Sequence, residues 1–311
     1  MLKQVLEAFD LLDGPDASAM RIAELLNERG LKDISVKTIR GEKGSTDFIK
    51  IKVPGIDGKL SEGVAPTLGV VGRLGGVGAR PEMVGIVSDG DGAVTALSIA
   101  LKLADMVRRG DRLMGDVIIS THICPNAPIT PHKPVPFMGS PVDTATMNRE
   151  EIDKDMDAIL SIDTTKGNRL VKWRGFAITP TVKEGWILKV SDDLLDIMET
   201  VTGRIPRVCP ITMQDIVPYG TGIDHINSIM TPSTATDASV VGVAITTETL
   251  VPGCATGASH ITDVEEAGRF ALEVAKSFGR GFCKFYDEEQ WGLIVKRYGR
   301  FKILQTMGRE N

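Results

Sequence analysis

Short apolar runs alternate along this chain with long amphipathic ones, and that alternation constrains the fold more than any single motif. Thr67 to Gly72, Asp116 to Ser120, Ala158 to Ile162 and Val240 to Thr246 are brief and nearly continuously apolar, as strands covered on both faces are. Asp91 to Arg108 carries a helical stripe (Val94, Leu97, Ile99, Leu101, Leu103, Met106), Val264 to Phe278 repeats the pattern, and Asp192 to Val201 is a shorter helix. Strand feeding helix feeding strand implies a parallel sheet covered by helices. The expected fold is therefore α/β, a three-layer sandwich around a largely parallel mixed sheet.

Ahead of this core, Val5 to Leu12 and Ala19 to Leu31 read as two helices split by the Gly14-Pro15 turn. Ser35 to Ile39 and Phe48 to Val53 read as half-buried strands, the second ending at Pro54-Gly55. Cys124 to Gly139 holds Pro125, Pro128, Pro131, Pro134 and Pro136, which exclude helix and central strand. A loop with so many fixed φ angles is expected to be a rigid wall over the site. With no repeat and no low-complexity linker, one α/β domain is expected over residues 1–290. Residues 291–311 are expected to form an amphipathic tail (Leu293, Val295, Phe301, Ile303, Leu304) that meets a second subunit in a homo-oligomer.

Composition narrows the function classes. Among 311 residues, 36 Lys+Arg face 41 Asp+Glu for a net charge of −5, with no basic block to neutralise phosphates, so no nucleic-acid partner is expected. No run of about 18 apolar residues is present, and Lys3, Glu7 and Asp10 interrupt the first ten residues where a signal peptide would be apolar. A cytoplasmic protein with no membrane contact is expected. Cys124, Cys209, Cys254 and Cys283 are widely spaced without a Cys-x-x-Cys pair and read as buried thiols, or at most one or two ligands. The 33 glycines exceed the average of about 7% and imply tight turns and close backbone approaches.

In an open α/β sheet, ligands bind beyond the carboxyl ends of the strands. Five segments fall there: Gly72 to Gly76, Ser88 to Gly92, Thr121 to Asn126, Asp163 to Gly167, and Gly253 to His260. Each has a bland reading. Asp89 and Asp91 cap a helix equally well, and Cys124 is more often an inert thiol than a ligand. Asp163 is the strongest single candidate, because an acid directly after an apolar strand has little packing reason to be there. Together, carboxylates, His122 and His260 at neighbouring strand ends suit a divalent metal, zinc foremost. No His-Glu-x-x-His, Walker loop or Gly-x-Ser-x-Gly elbow is present.

Gly41 to Lys50, Gly72 to Met83, Val87 to Gly92, Ser120 to Pro128, Ser161 to Arg169 and Pro252 to His260 resemble a bacterial and archaeal family known as domain of unknown function 1177. More distantly, the chain resembles co-catalytic zinc aminopeptidases of the phosphorylase/hydrolase-like fold. Leu11 to Pro15 is similar to their opening helix pair, Asp89 to their bridging Asp, Asp163 to a later metal-binding Asp, and His260, before Asp263-Val264-Glu265-Glu266, to their final His. That resemblance implies Asp89, Asp163 and His260 as ligands of one divalent ion. Two departures stand out. Arg73-Leu74-Gly75 replaces a His-x-Asp ligand pair, and His122-Ile123-Cys124-Pro125 replaces a Glu-Glu pair that includes the general base.

The resemblance thus implies a hydrolase of amide-type small-molecule or peptide substrates with a remodelled metal site, served by His122, Cys124 and Arg73. The alternative is a degenerate homologue that binds a small anionic or amino-acid-like ligand through Arg73 without turnover. Arg73 separates the two. A guanidinium cannot ligate a metal and must be paired if buried, so at most one ion is expected, with Arg73 paired to Asp89 or Asp163 if the metal is lost.

Overall fold

A computed structural model describes residues 1–73, 85–133, 135–218, 220–251, 253 and 255–305. Leu74-Gly75-Gly76-Val77-Gly78, Pro134, Cys254 and the end of the tail, 306–311, lie outside the described residues. Helices α1 (Leu2–Leu12) and α2 (Ala19–Glu28) open the chain, followed by the hairpin β1 (Asp33–Gly41) and β2 (Gly44–Val53). Then come β3 (Leu68–Gly72), α3 (Asp91–Arg108), β4 (Val117–Ile123), the two-residue strands β5 (Ile129–Thr130) and β6 (Phe137–Met138), α4 (Thr144–Glu151) and β7 (Ala158–Thr164). The rest is β8 (Gly175–Ile178), β9 (Val182–Lys183), β10 (Trp186–Ile187), α5 (Asp192–Thr202), β11 (Ser239–Thr246), α6 (Ile261–Gly279) and α7 (Glu288–Tyr298).

Among the described residues, nine strands form one mixed sheet in the order β1-β2-β4-β3-β7-β11-β9-β10, with β8 also on β11. The centre, β4-β3-β7-β11, is parallel, and the flanking pairs are antiparallel. The parallel strands are the buried apolar runs, because each is covered on both faces. Among its described residues, the proline-rich segment forms the small β5–β6 hairpin, apart from the main sheet.

Alternation sorts the strand residues into two cores. On one face Val70, Ile119, Leu160 and Val243 pack under α1, α2, α3, α5 and α6, with Leu97, Ile99 and Phe270 fully buried. On the other face Val71, Ile118, Ile159, Val240 and Ala244 pack against Met156, Ile216, Ile229 and Met230. This second outer layer holds α4 and short 3-10 turns at Met213–Ile216 and Thr231–Thr234, so it is far less helical than the first. Among the described residues no helix is long and apolar enough to cross a membrane.

The segment read as a tail folds back on its own chain as α7 and a 3-10 turn at Lys302–Leu304. The Trp186 indole donates to the Gly299 carbonyl at 3.0 Å, and its ring packs against Tyr298 and Phe301. Leu293, Tyr298 and Ile303 stay exposed.

Candidate active site

Strand register builds the site. Val71 pairs with Ser120 on β4 and Gly72 with Ile162 on β7, so Arg73, just past β3, lies level with His122 on one side and Asp163 on the other. Its amide donates to the Ile162 carbonyl at 2.8 Å, which holds that register. The three share the parity of Val71, Ile118 and Ile159, and therefore face the second layer. All three are buried at the carboxyl ends of adjacent parallel strands.

What meets them is Glu151, the last residue of α4. Its carboxylate bridges the Arg73 guanidinium and His122, whose Nδ1 lies 2.7 Å from Oε1. Arg73 also donates to Asn148 Oδ1 at 3.0 Å and to Thr231 Oγ1 at 2.9 Å. Asn148 Nδ2 in turn donates to the Thr231 carbonyl at 3.0 Å. Burial alone would raise the Glu151 carboxyl, but Arg73 and His122 outweigh it and hold the group below the usual range. Arg73 therefore pairs with Glu151, and with neither Asp89 nor Asp163, the partners named for the case in which the metal is lost. The reason is geometric: α4 crosses the strand ends on the face where the Arg73 side chain emerges.

Asp163 has no such partner. Its Oδ1 accepts from the Thr164 amide at 2.6 Å, and Arg73 helps from a distance, yet burial dominates and pushes its carboxyl up to about 7. Two neighbouring acids, Glu151 and Asp91, push the same way.

Toward the first layer, Asp91 opens α3 and sits 2.8 Å from Lys166 Nζ, both almost wholly buried. Burial raises the Asp91 carboxyl against the pull of Lys166. Asp89 is buried one turn earlier, in Ser88–Gly90, which is clasped by the Ser88 amide donating to the Thr256 carbonyl and by Thr164 Oγ1 donating to the Ser88 carbonyl. His260 is the N-cap residue of α6, with 56% of its side chain exposed and Nδ1 3.2 Å from Asp263. Cys124 lies apart, packed among Val87, Ala127, Met138 and Ala255. Its thiol donates to the Ser45 carbonyl at 3.4 Å, and burial pushes it up to about 11, so it stays protonated at neutral pH.

The structure thus gathers Arg73, His122 and Asp163 in one row, and leaves Cys124 and His260 outside it. Among the described residues no three His, Cys, Asp or Glu side chains form a group that could hold a metal ion, and Asp89, Asp163 and His260 are all described. The donor set explains this. Asp163 lies in the field of the Arg73 guanidinium, and His260 is half exposed on α6 with its Nδ1 on Asp263, outside the row. Among the described residues, this donor set does not fit a metal centre.

The sequence reading missed Glu151, Asn148 and Thr231, which come from a polar helix and a turn with no pattern of their own. Lys166 and Asp91 were in marked segments, but a 2.8 Å pair between them is visible only once α3 is set against β7.

The family model described as "Protein of unknown function (DUF1177)" matches residues 37–308, and the chain belongs to that family. No curated protein matches it. Among solved structures, the crystal structure of Legionella pneumophila LapA aminopeptidase is similar at a TM-score of 0.49 and 9% identity, covering 92% of this chain and 72% of that one. That likeness is too distant to carry any argument about the site.

Proposed function

With a family whose description carries no activity as the premise, we propose from the geometry that the chain is a hydrolase of amide-type small-molecule or peptide substrates. It would work at the carboxyl ends of β4, β3 and β7, with Asp163 as its proton carrier. Asp163 is the observation that carries this reading. A buried carboxyl raised to about 7 is divided between acid and base forms at neutral pH. It is therefore suited both to take a proton from water and to give one to a leaving nitrogen. His122 supports it, since a ring held through Nδ1 by Glu151 keeps its other nitrogen for a second proton transfer. Arg73 serves as a positioning residue, because it fixes the Glu151 carboxylate that orients His122. No step in this reading is routed through a metal.

A second reading is a protein that holds an amino-acid-like ligand without turnover. It is favoured by Arg73, a permanent cation buried at the strand ends beside Asp163 and able to hold a carboxylate.

Release of amine from a panel of acyl and aminoacyl amides tests both. The chain would be stripped with chelator and assayed with and without added zinc, beside Asp163→Asn. The hydrolase reading expects metal-independent turnover that falls by about a hundredfold or more in the variant. Ligand binding with no turnover of any amide supports the second reading, and zinc-dependent turnover indifferent to Asp163→Asn contradicts the first.

A further inference from the structure

A hollow of about 930 Å³ opens on the second outer layer, between the end of α4, the segment before β7 and the segment before β11. It lies toward the amino ends of those strands and is separate from the strand-end row, although Asn148 borders both. Three cations line it, Arg149, Lys154 and Lys183, beside two acids, Asp157 and Asp237. Both acids are already paired with cations from outside the hollow: Asp157 with Lys59 at 2.7 Å, and Asp237 with Lys302. Among the described residues none of the three lining cations forms an ion pair. Arg149 donates to Thr146 Oγ1 and Lys183 to the Asp237 carbonyl, each at 2.9 Å and each to a neutral oxygen.

Lys183 distinguishes the hollow from a solvated basic surface. It is half-buried on β9, its Nζ lies 5.0 Å from the centre of the Tyr286 ring, and burial lowers its ammonium below the ordinary lysine value. Glu184 and Asp237 pull the other way, but their carboxylates are held by Arg300 and Lys302 of the C-terminal segment. A partly desolvated cation is costly without a counterion, and an anion seated in the hollow would supply one.

We propose that this hollow is a binding site for a small organic dianion. Charge selects the class. With the two acids neutralised from outside, a neutral ligand leaves all three cations without a counterion and a monoanion leaves two. The Arg149 fork can take two oxygens of a carboxylate or a phosphate, while Lys154 and Lys183 act as point charges on a second group. Ile152, Met156 and Tyr286 supply apolar wall for the body of the ligand. A long polyanion would meet a chain whose net charge is −5, so a compact ligand fits better. The site goes beyond the amide-hydrolase reading and does not depend on it.

Backbone-amide NMR of the whole chain, titrated at low salt and about pH 8 with succinate, methyl phosphate or neutral succinamide, tests this; both acids are dianions there. Succinate and methyl phosphate should shift the Lys154, Lys183 and Asp237 amides saturably. At least one should bind about tenfold or more tighter than succinamide, with an affinity that falls as salt is added. Tighter succinate assigns the site to dicarboxylates, and tighter methyl phosphate to phosphate esters. Lys183→Met should weaken the better ligand by about tenfold, and Arg149→Gln and Lys154→Gln each by about threefold or more. The last two side chains are exposed and outside any ion pair, so they decide the matter even if Lys183→Met fails to fold. No saturable shift at these amides, succinamide binding as tightly as the dianions, or affinities unchanged by the Arg149 and Lys154 variants overturns the proposal.

Discussion

Asp163 and Glu151 are both wholly buried carboxyls near the same guanidinium, yet burial wins at one and partners win at the other. The sign of each shift fixes its effect on stability. For Asp163 the folded value lies above the unfolded one, so between about pH 4 and about pH 7 the folded chain keeps a proton that the unfolded chain has lost. The stability linked to it is full below that window and declines as pH rises to about 7. Glu151 has the opposite sign: its contribution is present above the unfolded value and is lost as pH falls through the lower folded one. Asp163→Asn removes only the first effect. Urea unfolding should show the variant gaining on the native chain between about pH 4 and about pH 7, and a constant difference contradicts the raised carboxyl. At the same scale, Arg73→Met should cost about 3–5 kcal/mol by leaving the buried Glu151 carboxylate without its guanidinium and held only by His122. Adding Glu151→Leu should recover part of that loss, which a double-mutant cycle reads directly.

At the scale of elements, the row depends on how closely α3 approaches the sheet. A Cβ built on Gly92, in the first turn of α3, would lie 2.5 Å from the Arg73 carbonyl and 2.6 Å from that of Ile162. Both obstacles are backbone, so neither can swing aside. Gly92→Ala should therefore push α3 off β3 and β7, lower stability by about 1–3 kcal/mol, and disturb the Asp91–Lys166 contact; an unchanged urea midpoint would refute it. Elements with a strong local period were legible from sequence: Asp91 to Arg108 is α3 residue for residue, and the four parallel strands lie where the apolar runs are. The helix α4 was not, because Thr144–Glu151 is polar and short, with only Met147 as a buried apolar residue. Its place is set by tertiary contacts such as the Lys50 ammonium donating to the Ile152 carbonyl at 3.2 Å. Glu151 went unseen for that reason. Asp163 could be seen because an acid at the end of a buried strand breaks a pattern that is itself local.

For the molecule as a whole, the site is a long-range assembly. Arg73, His122, Asn148, Glu151, Asp163 and Thr231 span much of the chain, and parallel pairing of β4, β3 and β7 brings them to one end of the sheet. Sequence reading reached the strand ends through the parallel-sheet rule, but it could not pair the residues there, since partner choice depends on which element crosses the sheet. This end of the sheet encloses a carboxyl, Asp163, that burial holds near neutral pH. Carboxyl carbon-13 NMR of the whole chain, titrated beside Asp163→Asn, measures it directly. The prediction is a carboxyl signal with a midpoint at about 7 that is missing from the variant. If every aspartate signal in the native chain instead titrates near about 4, the ordinary value for an exposed aspartate, Asp163 is no proton carrier and the account is wrong.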